Sequence, residues 1–354
     1  MKYKKFIIAA GLLLFTAGYC AAQVVPYYNY QFTEGVSVSP EGKFGFLVNL
    51  SNEMGAIFRP MPEHTFIGFY SLKYQGPGLK RQEGREFSER YLNHVFVGRH
   101  HWALPGDMVL KSQASLLFEN RRSGTNETWE SGLYNFNRYG GTSYLEKIFS
   151  EELTATASLG YQYITFPNYT DMLAEIQLGA DPSASEGKQN HHVLTQGIET
   201  KYKNNSAALK LTEQLYTKQK VAIDRVQSDG SYYSSTKQKD LTVALNADRT
   251  EQLSERMYLS PAVGIAYKNS NQNYQHFSSA TSTEPVRFFE DYYDYVDFSV
   301  NIPYTLTLFR KWSLILNPDL KYIRPARLET VTEILSVTKC QGSLQYIQRA
   351  LKSR

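Results

Sequence analysis

Seven histidines, His64, His94, His100, His101, His191, His192 and His276, are the side chains of this sequence best suited to ligate a metal or move a proton. Their spacing works against a shared site. In an extended segment, neighbours such as His100-His101 and His191-His192 point to opposite faces, so one member of each pair at most can join a common centre. His94 and His100 fall on one face, but six residues of strand separate them by about 20 Å. A serine nucleophile would need an adjacent base held by a third polar group. The Gly-x-Ser-x-Gly turn is absent from the sequence, and the remaining arrangement brings Ser112 or Ser115 to His94 from a neighbouring strand. On these grounds the chain is expected to be no enzyme, with no catalytic, cofactor-binding or metal-binding residue assigned and no cofactor required.

The elements that would position such residues are strands. Leu153, Ala155, Ala157, Leu159, Tyr161 and Tyr163 share one face, and Thr154, Thr156, Ser158, Gly160 and Gln162 share the other, a period of two without a break. Met257, Leu259, Pro261, Val263, Ile265 and Tyr267 repeat the pattern, as do Val296, Phe298, Val300, Ile302, Tyr304, Leu306 and Leu308. Trp312, Leu314, Leu316, Leu320 and Tyr322 follow after a tight connection, and Met108, Leu110, Ala114, Leu116 and Phe118 lie opposite Lys111, Gln113, Ser115 and Glu119. Runs of this length suit tilted membrane strands of about 9–11 core residues with extensions. They are longer than most strands of globular proteins.

The connections carry an independent signal, because tight and long ones alternate. Tight connections are expected at Arg59–His64, Leu104–Asp107, Phe149–Glu152, Asn204–Asn205, Arg249–Arg256 and Phe309–Lys311. Between them lie long polar ones at Gln75–Glu86, Asn120–Thr128, Pro167–Asn190, Thr217–Lys239 and Asn269–Asp291. This predicts twelve strands between Lys43 and Ile323, with Trp129–Ile148 as one long strand bulged at Gly140-Gly141. A first strand near Val24–Phe32 and a last near Leu328–Val337 bring the expectation to fourteen, within a range of twelve to sixteen.

Leu259-Ser260-Pro261-Ala262-Val263 and Leu316-Asn317-Pro318-Asp319-Leu320, each followed by a tyrosine at Tyr267 and Tyr322, resemble strands of Gram-negative outer-membrane porins and related barrel proteins. The resemblance is architectural, covers most of the chain and names no subfamily. It implies an all-β fold, an antiparallel transmembrane β-barrel with short periplasmic turns and long outer loops. It also implies an outer-membrane lipid environment, passive or weakly selective passage of small solutes, insertion by the barrel-assembly machinery, and compatibility with a homo-oligomer. One departure stands out: such proteins usually end on a strand closed by an aromatic residue, whereas this sequence ends Ala350-Leu351-Lys352-Ser353-Arg354. Residues 338–354 are therefore expected to be an irregular tail, with Tyr346 as a candidate internal signal.

Within such a wall the polar side chains Lys111, Gln113, Glu119 and Gln162 are candidates to line the pore, since about fourteen strands enclose more space than side chains fill. Glu290, Asp291, Asp294 and Asp297 stand amid Phe288, Phe289, Tyr292, Tyr293 and Tyr295, where a long loop returns to the wall. The plain expectation is an interfacial aromatic belt with solvated carboxylates. The functional one makes Glu290, Asp291 and Asp294 a cation or sugar contact at the pore mouth, with Arg121, Arg122 and Glu127 in an earlier loop of similar status.

Composition agrees. The 354 residues include 27 Tyr, 19 Phe and 3 Trp at a mean hydropathy of −0.43, and no apolar run after residue 22 is long enough for a helical span. Lys2, Lys4 and Lys5 precede an apolar stretch from Phe6 to Ala17 and small residues up to Ala22, the layout of a secretory signal over residues 1–22. Tyr19 before Cys20 disfavours lipidation there. Cleavage would leave 35 basic against 34 acidic residues, a formal +1, and Cys340 as the lone cysteine, so no disulfide could form within the chain. Balanced, interspersed charge excludes the concentrated basic face that nucleic-acid binding needs. The expected organisation is thus a signal at 1–22, an N-terminal segment at 23–42, a barrel at 43–337 and the tail. A lipid hydrolase embedded in the membrane and a soluble secreted all-β binding protein are the alternatives.

Overall fold

A computed structural model describes residues 23–38, 44–76, 90–122, 132–169, 186–222, 235–276, 287–309, 312–325 and 334–346. The signal segment at 1–22, Glu127 and residues 347–354 lie outside them. The first strands are β1 (Gln23–Val38), β2 (Phe44–Met61), β3 (His64–Gly76), β4 (Arg90–Leu104), β5 (Met108–Arg122), β6 (Phe136–Ile148) and β7 (Leu153–Thr165). They continue with β8 (His191–Tyr202), β9 (Asn205–Ala222), β10 (Ser235–Arg249), β11 (Glu251–Ser254), β12 (Met257–Leu259), β13 (Ala262–Ser270), β14 (Tyr274–His276) and β15 (Arg287–Phe289). The last are β16 (Tyr295–Asn301), β17 (Tyr304–Phe309), β18 (Trp312–Pro325) and β19 (Ile334–Tyr346). Every described pairing register is antiparallel. The chain divides into two compact units. One contains β1–β5 with residues 136–145 and 161–165, the other residues 146–148 and 153–160 with β8–β19.

The protein is all-β, and its tight and long connections alternate as the sequence predicts, so within each unit the tight turns share one end of the strands. β14 and β15 form a hairpin of their own. Three of the remaining strands are interrupted once each, between β10 and β11, β12 and β13, and β16 and β17. Joined across those breaks, the nineteen segments less the small hairpin make fourteen strands among the described residues.

The interruptions correct the expectation of unbroken strands over 257–268 and 296–308. Pro261 and Pro303 have no N–H to give to a ladder, yet the neighbouring chains stay joined through proline carbonyls. Arg249 N donates to Pro261 O, Ser260 N to Pro303 O and Ile302 N to Pro318 O, each at 3.0 Å. The long strand expected from Trp129 instead begins at Phe136. Gly132–Asn135 forms a turn closed by Asn135 N donating to Gly132 O, and Asn135 Oδ1 accepts from Arg121 N at 2.6 Å. A side chain at 132 would meet Arg121 O at 2.0 Å, so only glycine fits there.

The last strand also lies further along than expected, at Ile334–Tyr346 rather than Leu328–Val337, and takes in residues 338–346 of the supposed tail. A bulge hides its second half from a period of two: Asn317 pairs with Gln341, but Asp319 pairs with Thr338. The extra residue shifts the phase of the apolar positions, from Leu335 and Val337 before it to Leu344 and Tyr346 after it, so a strict period of two is lost although the pairing is not.

Register lines collect large apolar side chains on one face and polar ones on the other. In the second unit Ile198, Leu209, Leu245, Ile265, Phe298 and Tyr322 are successive cross-strand partners. The first five are 61, 49, 50, 40 and 43% exposed. In the first unit Tyr28, Met54, Tyr70, Phe96 and Leu116 form a similar line. Among the described residues only Tyr74, Val97, Leu117 and Val221 are buried hydrophobics. A fold in water would forfeit about 1.5–3 kcal/mol for a fully exposed side chain of this kind and roughly half that at these exposures, which over one line is comparable with the stability of a marginal domain. This face is built for an apolar surrounding.

Candidate functional site: the polar faces

In the first unit β5 carries Lys111, Gln113 and Glu119 on the face opposite Leu110, Leu116 and Phe118, because the side-chain period is two. Their partners on β4 are His101, Arg99 and Asn93. Arg99 Nε donates to Gln113 Oε1 at 2.7 Å, and the guanidinium carbon lies 5.3 Å from the Phe69 ring centroid. On the same face Tyr27 OH donates to Glu53 Oε2 at 3.1 Å. Gln162, on β7, packs its stem where a Cβ at Gly140 would stand, 2.7 Å from that point. The structure thus puts all four predicted residues on polar faces, and brings Gln113 to Arg99, a partner the sequence reading had not named. It does not gather the four together: Gln113 and Glu119 are about 20 Å apart along one strand. Ser71 Oγ, in a residue 3% exposed, and Asn93 Oδ1 have no hydrogen-bond partner among the described residues. Such atoms are normally satisfied by water, which fits a wet face.

The second unit has its own polar network, which no local spacing reveals because its members come from five strands. Asp240, 6% exposed, accepts from Ser270 Oγ at 2.6 Å and sits 3.3 Å from Lys268 Nζ. Lys321 Nζ lies 2.8 Å from Asp297 Oδ2, and Ser206 Oγ donates to Asp248. Adjacent registers place these groups side by side: Asp240 opposite Ser270, Lys268 opposite Tyr295, Ser299 opposite Lys321. Alternating positive and negative groups on one face can solvate and order a passing polar solute.

The loop carboxylates behave differently from one another. Asp294 is buried and braces the end of β13, accepting from Ser270 N at 2.6 Å and Asn269 Nδ2 at 2.7 Å. Burial pushes its carboxyl above the usual range and Asp291 adds to that, while the bonds from Ser270 and Asn269 and the charge of Lys268 pull it back. Glu290 and Asp291 are exposed in the preceding turn. Tyr274 and Tyr292 stack at 4.6 Å, with Phe289 and Tyr293 against Tyr292. These rings form the small core of a loop hairpin, and Asp294 serves it as a brace.

On the apolar face the histidines pair in ways that sequence spacing hides. His94 Nδ1 contacts Tyr70 OH at 2.7 Å. His94 stands opposite Phe118, and Ser115 is on the other face, so the expected approach of Ser112 or Ser115 to His94 is not made. Ser112 stands instead opposite His100, and His100 Nε2 meets His64 Nδ1 at 2.9 Å. The hairpin registers set by the turns at Met61–His64 and Leu104–Met108 were the signal that could have exposed this row.

No protein-family model matches the chain. No curated protein sequence matches it either. Among solved structures it is similar to the alcaligin outer-membrane receptor FauA from Bordetella pertussis, at 8% identity and TM-score 0.41, covering 88% of this chain and 62% of that one. It is also similar to the RagAB peptide importer in its closed-closed state, at 10% identity and TM-score 0.41, covering 85% and 49%. A bacterial polysaccharide outer-membrane secretin matches at 9% identity and TM-score 0.32, covering 86% and 92%. The chain spans less than two thirds of the FauA chain and about half of the RagAB chain. Likeness at these scores carries no argument about function.

Proposed function

We propose that this chain is an outer-membrane β-barrel through which small polar solutes pass passively or with weak selectivity. The observation that carries the reading is the inversion of the strand faces: lines of large apolar side chains stand exposed while charged and amide groups line the opposite face. A span through hydrocarbon must satisfy every backbone group internally, which strands achieve only by closing into a ring. In that arrangement Lys111, Gln113, Glu119 and Gln162 line the pore, joined by Arg99, Asp240, Lys268, Asp297 and Lys321, and Glu290 and Asp291 stand near its mouth. Export through a signal at residues 1–22 delivers the chain, and the aromatic Tyr346 at the end of β19 is the candidate for reading by the assembly machinery.

Single-channel conductance of refolded protein in planar bilayers tests the reading. Stable ohmic steps are expected, with ion selectivity altered by Lys268→Glu and Lys321→Glu. A properly folded, membrane-inserted protein that leaves ion and sugar permeability of vesicles unchanged would remove the pore.

A further inference from the structure

The apolar face of the first unit holds a row that does not belong on a surface built for hydrocarbon: His64, His100, Ser112 and Ser143. Ionisable and hydroxyl groups facing lipid are costly, and where they occur they mark function. His64 and His100 meet head-on. Their rings are 7° from coplanar with centroids 5.2 Å apart, about the sum of two ring radii and the 2.9 Å contact between Nδ1 and Nε2. Phe66 stacks on His100 at 4.3 Å and fixes its plane. Across the other edge of β4, His100 is the register partner of Ser112, whose Oγ lies 3.1 Å from Ser143 Oγ. Facing Cβ atoms in such a pair are about 4.5–5.5 Å apart, so the Ser112 hydroxyl and the His100 ring are neighbours on one face.

The same two residues line a groove of about 630 Å³ with Phe58, Phe66, Ala56 and Ala114. Its floor is a line of small residues, Ala56, Gly68, Gly98 and Ala114, that are cross-strand partners. A Cβ added at Gly68 or Gly98 would meet nothing within 4 Å, so the glycines leave room rather than relieve crowding. A groove of this size takes a ligand of ordinary small-molecule volume, and apolar walls suit an acyl chain.

We propose that Ser112, His100 and His64 form a hydrolytic site on the apolar face, acting on carboxylic esters of long-chain lipids. It rests on the membrane reading only in that this face must meet lipid for substrate to arrive. Ser112 Oγ attacks the ester carbonyl carbon as its proton passes to His100 Nδ1. His64 Nδ1 accepts from His100 Nε2–H and holds the imidazolium, while the Ser143 hydroxyl donates to the oxyanion. Collapse breaks the bond to the alcohol oxygen, which takes the proton from His100 and leaves. Water then attacks the acyl-serine, giving one proton to His100, and release of the fatty acid returns that proton to Ser112. His64 is a positioning residue; the substrate contacts are those of Ser112, His100 and Ser143.

The test uses the full chain refolded in phospholipid vesicles, with flotation measured on the same samples, a phospholipid bearing a fluorescent acyl chain as substrate, and a fluorophosphonate as covalent probe. Wild type should release fatty acid and take the probe at Ser112. Ser112→Ala and His100→Ala should each lose turnover by up to about a millionfold and all labelling, while His94→Ala keeps both. His64→Ala should lower kcat with KM unchanged, and His64→Asn, which can still accept the hydrogen bond, should restore part of it. Wild-type protein that floats with vesicles yet neither hydrolyses nor labels overturns the site and leaves the barrel standing, as does turnover retained in Ser112→Ala. Protein that does not float overturns the membrane reading itself, and with it the supply of substrate.

Discussion

Placing one arginine on either face of β13 separates a lipid-facing wall from a water-facing one. Ile265 stands in the register line between Leu245 and Phe298 and is 40% exposed. If that line meets the middle of a bilayer, Ile265→Arg costs about 2–4 kcal/mol, roughly a 30- to 700-fold fall in the folding equilibrium constant. With an m-value of about 2 kcal/mol/M, the urea midpoint for folding into vesicles drops by about 1–2 M. Ala266, one residue on, faces Asp297, whose Oδ1 has no partner among the described residues. Arginine there can reach that carboxylate, so Ala266→Arg should change stability by less than about 1 kcal/mol in either direction. The assay is the folded fraction against urea, read from gel mobility with and without heating. In a soluble fold the order reverses: a residue as exposed as Ile265 tolerates the change within about 0.5 kcal/mol, and Ala266→Arg is the damaging one. Equal or reversed effects would refute the assignment of faces.

Other outcomes follow from single contacts. Gly55→Ala should destabilise by about 1–3 kcal/mol, since its Cβ would stand 2.2 Å from Gly68 O and 2.6 Å from Phe69 Cβ, whereas Gly98→Ala should leave the urea midpoint nearly unmoved. Lys321→Met leaves Asp297 unpaired and should lose about 1 kcal/mol, the pair being 42 and 17% exposed and thus partly screened; adding Asp297→Asn should recover most of that loss in a double-mutant cycle. Because the carboxyl of Asp294 is held above its ordinary range, the folded loop binds its proton more tightly than the unfolded chain does. The contribution to stability is full below the unfolded range near pH 4 and is lost as pH rises through the folded value. Hydrogen exchange at the Ser270 amide, corrected for intrinsic rate, should show protection falling from acid toward neutral pH, and Asp294→Asn should flatten the trend.

The strands of this protein were legible because period two is a local property: Val263, Ile265 and Tyr267 alternate with Ala262, Gly264 and Ala266 in the sequence as they do in β13. What escaped were features that depend on a neighbouring strand. The bulge opposite Asn317–Asp319 shifts the phase of β19, so a reading of residues 338–346 by periodicity alone finds no strand. The turn at Gly132–Asn135 exists because Asn135 caps Arg121 from another strand. The same holds for the sites. Lys111, Gln113 and Glu119 could be assigned to one face from their spacing, but the meeting of His64 with His100, or of Asp240 with Ser270 and Lys268, is set by hairpin register, which follows from turn length and not from the residues that meet.

A membrane wall requires that the apolar faces of β13 and β16 touch hydrocarbon and their polar faces water. With Cys340 changed to Ser, single nitroxide labels at residues 262–267 and 296–301 of vesicle-inserted protein can be read for collision with oxygen, which concentrates in hydrocarbon, and with a water-soluble nickel chelate. Oxygen accessibility should peak at 263, 265, 267, 296, 298 and 300 and nickel accessibility at the residues between them. Nickel collisions highest at Ile265 and Phe298, or no alternation at all, would contradict such a wall.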